Sequence, residues 1–417
     1  EGNRAGLAVV THPAKVQIQH WLGRSVLFTL PSMSTIERET ESDREHQLVA
    51  WAGELGRQVA EHAERHDRDG TFVVEAYQLL ADSGYLALAV PEELGGRGAS
   101  IRQVAMAQRE LARHCGSTAL ASVMHHHVVL FTAWRHRRDM PGAEATLRRV
   151  ADEGIVLVST GGGDLTNPRG TATRVEGGFL VNGRKPFASQ APVGAAMSTM
   201  FCYDDPEEGR IVLNMAIPTS SEGVTVLDTW DALGMRGTGS HDIELKDVFV
   251  SDQQVLARRP HGQIDGPLQV ILSIAMPPIA AVYLGVAEAA RDHAVSLIAG
   301  TARADDTLRQ RQIGLMDTRL RIAGWALDGA LAIVGDDPTP SMDTVVAVMA
   351  AKREIALAAV EACQLALEVG GGAAFSRTHP IERCLRDVQA ARFHPLDPEE
   401  SLVHAGKVAL DLPAGER

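Results

Sequence analysis

Two glycine-punctuated runs decide the fold: Gly178-Phe-Leu-Val-Asn-Gly-Arg-Lys-Pro-Phe-Ala-Ser189 and Leu233-Gly-Met-Arg-Gly-Thr-Gly-Ser-His-Asp-Ile-Glu-Leu245. Both lie between residues 155 and 250, where the apolar residues tend to alternate with polar ones, as in short strands. Long stretches of helical spacing flank this region on both sides. Helix, then sheet, then helix is an uncommon order for one enzyme chain, and the polar residues cluster in the sheet part. The order narrows the fold, and the cluster suggests a site.

The strands are predicted from apolar residues at a period of two. Asn182-Gly183 predicts a hairpin because both residues tolerate positive φ, and further turns are expected at residues 176–178 and 204–206. The predicted strand residues are Phe179, Val181, Ile211, Leu213, Met215, Val224, Val226, Ile243 and Leu245.

Helical spacing covers residues 42–149 and returns after Pro267. A loop is expected at residues 90–98, which hold one proline and three glycines, and Ser100 is expected to cap the helix that follows. The expected domains are helical over 33–150, β-rich over 151–260 and a helical bundle over 261–417. Residues 1–32 are expected to be an extension ahead of a natural start at Met33.

Composition excludes several classes of function. With 417 residues, 45% of them hydrophobic, the chain can bury a sizeable core. A net charge of −13 with dispersed Lys and Arg argues against nucleic acid as a partner. The four cysteines show no metal-binding spacing, which indicates reduced core or surface thiols. No signal peptide or membrane-spanning run is expected, so we predict a cytoplasmic protein without a membrane partner.

Five motifs, in this order, resemble the acyl-CoA dehydrogenase superfamily of flavoenzymes. They are Val90-Pro-Glu-Glu-Leu-Gly-Gly-Arg-Gly98, Gly116-Ser-Thr-Ala-Leu120, Asn182-Gly-Arg-Lys185, Gly234-Met-Arg-Gly-Thr-Gly-Ser-His-Asp242 and Pro380-Ile-Glu-Arg-Cys-Leu-Arg-Asp387. The resemblance runs from about residue 45 to 410. It implies an α+β multi-domain fold with a helical N-terminal domain, a small β-barrel-like central domain and a C-terminal four-helix bundle. It also implies bound FAD, with FMN as the other possibility, and a homotetramer or homodimer.

The resemblance assigns residues to the flavin. Phe187 and Ser189 take the place of an aromatic and a hydroxyl beside the ring, and Ser159 or Thr160 could hydrogen-bond it from a loop shorter than the family's. Gly370 and Gly371 resemble a turn that meets the adenosine diphosphate part. A glycine-rich backbone at a helix N-terminus would suit a phosphate.

The remaining candidates are polar side chains with competing interpretations. Arg386 and Asp387 are expected to form an ion pair that braces the site. Arg236 is either a substrate-facing or phosphate-facing donor or a solvated surface residue, and the resemblance implies that its turn is mainly structural, with a cofactor contact. His125 could face substrate, but three consecutive histidines on a helix point in different directions, so residues 125–127 are not expected to bind a metal.

The family's catalytic base is missing. Acyl-CoA dehydrogenation needs a carboxylate to remove the α-proton. The two positions where the family places it carry Pro395 and Ala275, which leaves His394, Asp397 and Glu399 as the nearest candidates. His394 and Glu399 are therefore the tentative catalytic residues.

Two functions stay open. The first is α,β-dehydrogenation of an acyl-CoA thioester with electrons passed to an electron-transfer flavoprotein, slightly favoured on the family's base rates. The second is a monooxygenase of the same fold that receives reduced flavin from a flavin reductase and needs no α-proton base. A third class, a flavin-binding relative without catalysis, is the least favoured.

Overall fold

The computed structural model describes residues 40–412, so the expected extension over residues 1–32 and the proposed start at Met33 lie outside the described residues. The chain divides into two units, Glu1–Arg44 and Glu45–Arg417. All strands, and every helix beyond the first turn of the first one, belong to the second unit.

The N-terminal part is helical. Ser100 caps the third helix as predicted: its side chain accepts from the Gln103 amide, and the Gln103 side chain accepts from the Ser100 amide. Val104, Ala107 and Leu111 on this helix are fully buried. The helices are α1 (Glu41–Asp69), α2 (Val74–Asp82), α3 (Ile101–Ala112), α4 (Gly116–His136) and α5 (Ala143–Glu153).

The central part is a sheet with its own apolar core. The strands are β1 (Val156–Ser159), β2 (Thr171–Val175), β3 (Gly178–Ala188), β4 (Gly194–Asp205), β5 (Gly209–Pro218), β6 (Val224–Val226), β7 (His241–Ser251) and β8 (Val255–Pro260). The order across the sheet is β6-β7-β3-β2-β4-β5-β8, and β1 pairs with β4 in parallel. Val181, Leu213 and Ile243 are fully buried, as the period of two predicts, whereas Val226 is exposed on the edge strand β6.

The predicted hairpin at Asn182-Gly183 is wrong. Both residues lie inside β3, and the hairpin between β2 and β3 turns at Glu176 and Gly177 instead. The Asn182 side chain donates to the Asp247 carboxylate and accepts from the Asp247 amide, where the pairing of β3 with β7 is irregular. Gly183 packs against the backbone of Gly170, where a Cβ would be crowded. The pair therefore marks a bulge and a close backbone approach.

The C-terminal part consists of helices, three of them long. The helices are α6 (Gly266–Ile298), α7 (Thr307–Val334), α8 (Met342–Gly370), α9 (Pro380–Asp387) and α10 (Pro398–Ala409). The central helix is α6, which packs against α3, α4, α7 and α8. A Cβ on Gly285 would collide with the carbonyl oxygen of Arg109, so this glycine allows α3 to approach α6 closely. The order of helical part, sheet and helical part is the expected one.

Two expectations from composition are answered by this packing. The expectation that no apolar run is long enough to span a bilayer is wrong for α6, which is long and apolar enough by length and composition. However, 94% of its most apolar window is buried inside the protein, as in a core helix. The four cysteines are free, and all of them are buried.

Candidate functional site

The loop that begins at Gly234 joins the sheet to the helices. The Met235 amide donates to the Asp387 carboxylate at 2.5 Å, and the Gly237 amide donates to the Ser117 hydroxyl at 3.2 Å. Asp387 is buried, and its desolvation raises the pKa of the carboxyl to about 6. Asp387 at the end of α9 and Ser117 at the start of α4 therefore fix this loop from two sides.

The expected ion pair between Arg386 and Asp387 does not form. The Arg386 guanidinium instead donates to both oxygens of Asp67 on α1, at 2.8 and 2.6 Å, and to Glu382 one turn earlier on α9. Adjacent residues on a helix point about 100° apart, so one side chain faces α1 and the other faces the loop. Both brace the junction, but with different partners.

Arg236 is partly exposed, and several partners hold its guanidinium. Its guanidinium donates to the carbonyl oxygens of Asp67 and Ala232 and forms an ion pair with Asp231. The contacts with Asp67 and Ala232 are to backbone, so Arg236 ties the loop to the end of α1. The guanidinium therefore braces this turn, as the structural interpretation predicts, and its role as a substrate contact stays a prediction.

Three buried hydroxyls follow one another beside this loop. The Ser189 hydroxyl lies 2.9 Å from that of Ser240, which lies 2.7 Å from that of Thr238. The Thr238 hydroxyl donates to the carbonyl oxygen of Met235 at 2.9 Å. The sequence singled out Ser189, but it did not predict that Ser240, just before β7, and Thr238, in the preceding 3-10 turn, would support its hydroxyl.

A second pair of hydroxyls lies at the end of β1. Thr160 is buried and donates to the Thr199 hydroxyl on β4 at 2.7 Å, while its amide donates to the Ser198 carbonyl. Ser159 is half-buried on the last position of β1. Gly161 follows with φ 83°, and a Cβ on Gly163 would meet open space. Both hydroxyls thus border the glycine loop, which consists of Gly161, Gly162 and Gly163, and either of them can contact a ligand there.

Phe187 is the most unusual aromatic residue near these hydroxyls. It is 68% exposed and has φ 58°, a backbone conformation that is uncommon for a bulky residue. Its ring meets that of Trp230 edge-on, with 6.1 Å between the centroids. Such a ring is available to cover a planar ligand bound near Ser189.

The position of the missing base is filled by a proline that faces the glycine loop. A Cβ built on Gly162 would lie 3.5 Å from Pro395 Cδ, so the proline ring covers this part of the loop. Ala275, the other family position, is buried in α6. Asp397 accepts from the Glu399 and Glu400 amides as the N-cap of α10, and Glu399 is exposed.

His394, next to this proline, is held by two residues that the sequence did not indicate. Its Nε2 lies 2.5 Å from the hydroxyl of Tyr283 on α6. Lys352 on α8 donates its ammonium to the carbonyl oxygens of His394 and Leu396, each at 2.5 Å. Burial lowers the pKa of His394 to about 3 and that of Lys352 to about 8.

The histidines of α4 are core residues. His125 is fully buried, and its two ring nitrogens contact the Leu86 carbonyl and the Leu157 amide. Because these two contacts occupy both ring nitrogens, His125 has no free polar atom with which to bind a substrate, as the sequence had suggested it could. His126 and His127 are buried too. Within residues 40–412 no group of His, Cys, Asp or Glu side chains is arranged to hold a metal ion.

The turn at Gly370 and Gly371 begins only a 3-10 turn of three residues, Gly371–Ala373, and no α-helix, which corrects the expected phosphate geometry. Gly370 is the last residue of α8, and α9 begins only at Pro380. Arg303 donates to the Val369 carbonyl and Arg309 donates to the Glu368 carbonyl, so both guanidiniums cap the C-terminus of α8. A helix C-terminus carries partial negative charge and suits cations better than phosphate.

The side chains beside β3 and β4 fit the ring of a flavin. The hydroxyls of Ser189 and Thr160 keep lone pairs that their hydroxyl partners do not use, because each oxygen can take part in three hydrogen bonds. The glycine loop offers open space, and Phe187 offers an aromatic face. The Gly371 turn leaves room for a ligand beside its backbone, but it leads into a 3-10 turn of three residues and not into an α-helix.

Comparison with known proteins identifies the family. The N-terminal, middle and C-terminal domains of acyl-CoA dehydrogenases match residues 42–157, 159–248 and 278–396. The L-evernosamine nitrososynthase of Micromonospora sp. is 35% identical over 82% of this chain and 84% of its own length. The putative acyl-CoA dehydrogenase YdbM of Bacillus subtilis is 28% identical over 87% of this chain and 96% of its own.

Solved structures of the same fold bind flavins. The X-ray structure of KijD3 in complex with FMN and dTDP-3-amino-2,3,6-trideoxy-4-keto-3-methyl-D-glucose superposes with a TM-score of 0.80 and 29% identity, and it covers 89% of this chain and 95% of its own. The chain belongs to the acyl-CoA dehydrogenase family and is a flavin-dependent oxidoreductase of that fold.

Proposed function

We propose that this chain is a monooxygenase that uses reduced flavin and oxygen to oxidise the amino nitrogen of an amino sugar carried on a nucleotide. The observation that carries the proposal is Pro395, which stands against the glycine loop where a dehydrogenase of this family would have its carboxylate. This reverses the slight preference for acyl-CoA dehydrogenation that base rates gave.

The neighbouring groups are poor substitutes for that base. Asp397 is engaged as a helix cap and Glu399 is exposed to solvent. His394 is near, but with a pKa of about 3 its imidazole is a far weaker base than a carboxylate with a raised pKa. Removal of an α-proton from a thioester therefore has little support among these residues.

Similarity to proteins that oxidise amino groups supports the alternative. The 35% identical relative is named as a nitrososynthase of the amino sugar L-evernosamine, and the KijD3 complex holds both FMN and an amino sugar nucleotide. Reduced flavin supplies two electrons, so that one atom of O₂ enters the amine as a hydroxylamine oxygen and the other leaves as water. No carbon-bound proton needs to be removed in this reaction.

His394 and Tyr283 form a hydrogen-bonded pair next to Pro395. Burial raises the pKa of the Tyr283 phenol, so the phenol keeps its proton and can donate it to Nε2 of the neutral His394. In that arrangement the hydrogen of the imidazole lies on Nδ1. His394 is half-buried, and we propose that this N–H serves as a proton donor during the reaction.

Incorporation of oxygen tests the proposal. The purified protein, FMN, NADH and a flavin reductase would be incubated under ¹⁸O₂ with dTDP-linked amino sugars, and the products analysed by mass spectrometry. We expect one ¹⁸O per oxidation at nitrogen, with the FAD-loaded reaction as a second arm.

The dehydrogenase alternative is tested in the same preparation. Oxidised, flavin-loaded protein would be mixed anaerobically with a panel of acyl-CoA thioesters. We expect the visible absorption of the flavin to persist. Rapid bleaching with one thioester, combined with no ¹⁸O transfer to any amine, would contradict the monooxygenase and establish the dehydrogenase.

A further inference from the structure

The three hydroxyls of Ser189, Ser240 and Thr238 form a chain of hydrogen bonds with a defined end. All three residues are buried, and the oxygen–oxygen distances along the chain are 2.9 and 2.7 Å. The chain ends at the Met235 carbonyl, 2.9 Å from the Thr238 hydroxyl. The Ser189 amide is already engaged with the Phe187 carbonyl, so only its hydroxyl is free to respond to a ligand.

The carbonyl end sets the direction of the chain. A carbonyl oxygen can only accept, so the proton between Thr238 and Met235 belongs to Thr238. Each hydroxyl has a single proton, and Thr238 must therefore accept from Ser240, which in turn accepts from Ser189. In the opposite direction, lone pairs of Thr238 and Met235 would face each other at 2.9 Å without a proton between them.

We infer that Ser240 and Thr238 are positioning residues. They keep the Ser189 hydroxyl donating to Ser240, so that the Ser189 oxygen presents a lone pair to the bound flavin as an acceptor. Reduced flavin carries a hydrogen on N5, whereas N5 of oxidised flavin is itself an acceptor. The chain of hydroxyls therefore favours the reduced cofactor over the oxidised one. The inference rests on the proposed function and on the family resemblance of the Phe187-Ala-Ser189 run, which implies that the Ser189 hydroxyl faces the N5/O4 edge of the ring.

Thr238→Val is the decisive variant because it keeps the side-chain shape and removes only the last link. The Met235 carbonyl retains two donors, the Trp230 indole at 3.1 Å and the Thr238 amide at 3.1 Å, so it is not left unsatisfied. Without Thr238 as acceptor, the Ser240 and Ser189 hydroxyls are free to reverse. Thr132→Val is the matched control, since Thr132 is also buried and donates to a backbone carbonyl, but on α4.

The measurement is the ratio of dissociation constants for oxidised and reduced FMN, obtained by anaerobic titration and checked by the midpoint potential of the bound flavin. We expect the wild-type protein and Thr132→Val to bind reduced FMN more tightly than oxidised FMN. In Thr238→Val this preference should fall about fivefold, the size of one net hydrogen bond, which is about 20 mV for a two-electron couple. Ser189→Ala should abolish the effect of Thr238→Val.

The outcomes are separable from those of the proposed function because no turnover is measured. An unchanged ratio in Thr238→Val, a wild-type protein that prefers oxidised FMN, or a Thr238→Val effect that persists in the Ser189→Ala background would overturn the inference. If Thr238→Val fails to fold, Ser240→Ala removes the acceptor of Ser189 and should give the same loss of preference. A preserved redox effect without oxygen transfer would reject the proposed function and leave this inference standing.

Discussion

His394 illustrates how surroundings determine the chemistry of a single side chain. The imidazole stays neutral because burial and the nearby ammonium of Lys352 lower its pKa to about 3. Its Nε2 shares a hydrogen bond with the hydroxyl of Tyr283. The residue type was visible in the sequence as a candidate next to Pro395, but its partners on α6 and α8 were not.

Removal of the Tyr283 hydroxyl should disturb this histidine selectively. We expect His394→Gln to lower kcat about a hundredfold, the lower limit of the usual range for loss of a proton-transfer group. Tyr283→Phe removes only the hydrogen-bond partner of the imidazole, so we expect a smaller loss, about tenfold. KM for the amine should change little in both variants. The steady-state rate of product formation checks this, with Tyr203→Phe in the β-domain as the matched control. Equal kcat values in Tyr283→Phe and in the wild type would remove Tyr283 from the mechanism.

Lys352 should give the reaction a pH dependence. Burial lowers the pKa of its ammonium to about 8, against the opposing effect of Asp397 and Glu400. The charged form, which holds the carbonyls on both sides of Pro395, prevails below that pH, so we expect activity to fall as pH rises through about 8. Lys352→Met should lack this descending limb at lower overall activity. Lys246→Met, an exposed lysine, should retain the wild-type profile.

The effect of Lys352 on stability has the opposite sign. A folded-state pKa below the unfolded value of 10.5 means that the unfolded chain binds the proton more tightly. The folded protein therefore gains stability from this group as pH rises from about 8 to 10.5. Denaturation curves at pH 7.5 and 10 would show a smaller gain in Lys352→Met than in the wild type. A purely structural lysine would lose activity and stability together.

At the scale of elements, the sequence predicted the type of the long elements better than their junctions. Helical spacing identified the regions of α1, α3, α6 and α8, and the period of two identified β3, β5 and β7, because burial on one face imposes these periods. Asn182-Gly183 misled the turn assignment because the same flexible pair also serves a bulge. Lys352 could have been inferred as a core residue, since it continues the buried spacing of Val345 and Met349 on α8.

The close approach of α3 and α6 depends on Gly285. A Cβ there would meet the backbone carbonyl of Arg109, which cannot move without shifting α3. We expect Gly285→Ala to lower the free energy of unfolding by about 2 kcal/mol, the usual cost of overpacking. Gly314→Ala on α7, where a Cβ meets open space, should instead raise it by about 0.5 kcal/mol through helix propensity. Urea denaturation of both variants measures the contrast.

At the scale of the whole molecule, the end of α9 connects the three parts of the fold. Arg386 binds α1 through Asp67, and Asp387 binds the loop of the β-domain through Met235. The sequence predicted that these two residues brace the site, but it assigned them to each other. Their actual partners lie more than a hundred residues away in the chain, so only the tertiary fold determines them. Helical geometry alone indicates only that adjacent side chains point in different directions.

Asp387 should make stability depend on pH in a defined direction. Its folded-state pKa of about 6 lies above the unfolded value of 3.8, so its contribution to stability is complete below about pH 4 and is lost as pH rises through 6. Asp387→Asn keeps an oxygen acceptor for the Met235 amide without a buried charge. Between pH 4 and 7.5 we expect the free energy of unfolding of the variant to rise, relative to that of the wild type, by on the order of 2 kcal/mol. Denaturation curves of both proteins at both pH values measure this. Equal changes in their free energies of unfolding would contradict the prediction.

The burial of α6 on nearly all sides has a consequence for biosynthesis. This helix leaves the ribosome well before its partner α8 is complete, because about 70 residues separate the last residue of α6, Ile298, from the last residue of α8, Gly370. At the usual elongation rates this interval is roughly 4–14 s. During it the 33 residues of the apolar helix α6 lack α8, one of the helices against which they pack. Nascent chains stalled in this interval should bind chaperones and aggregate, and slower growth at low temperature should raise the soluble yield.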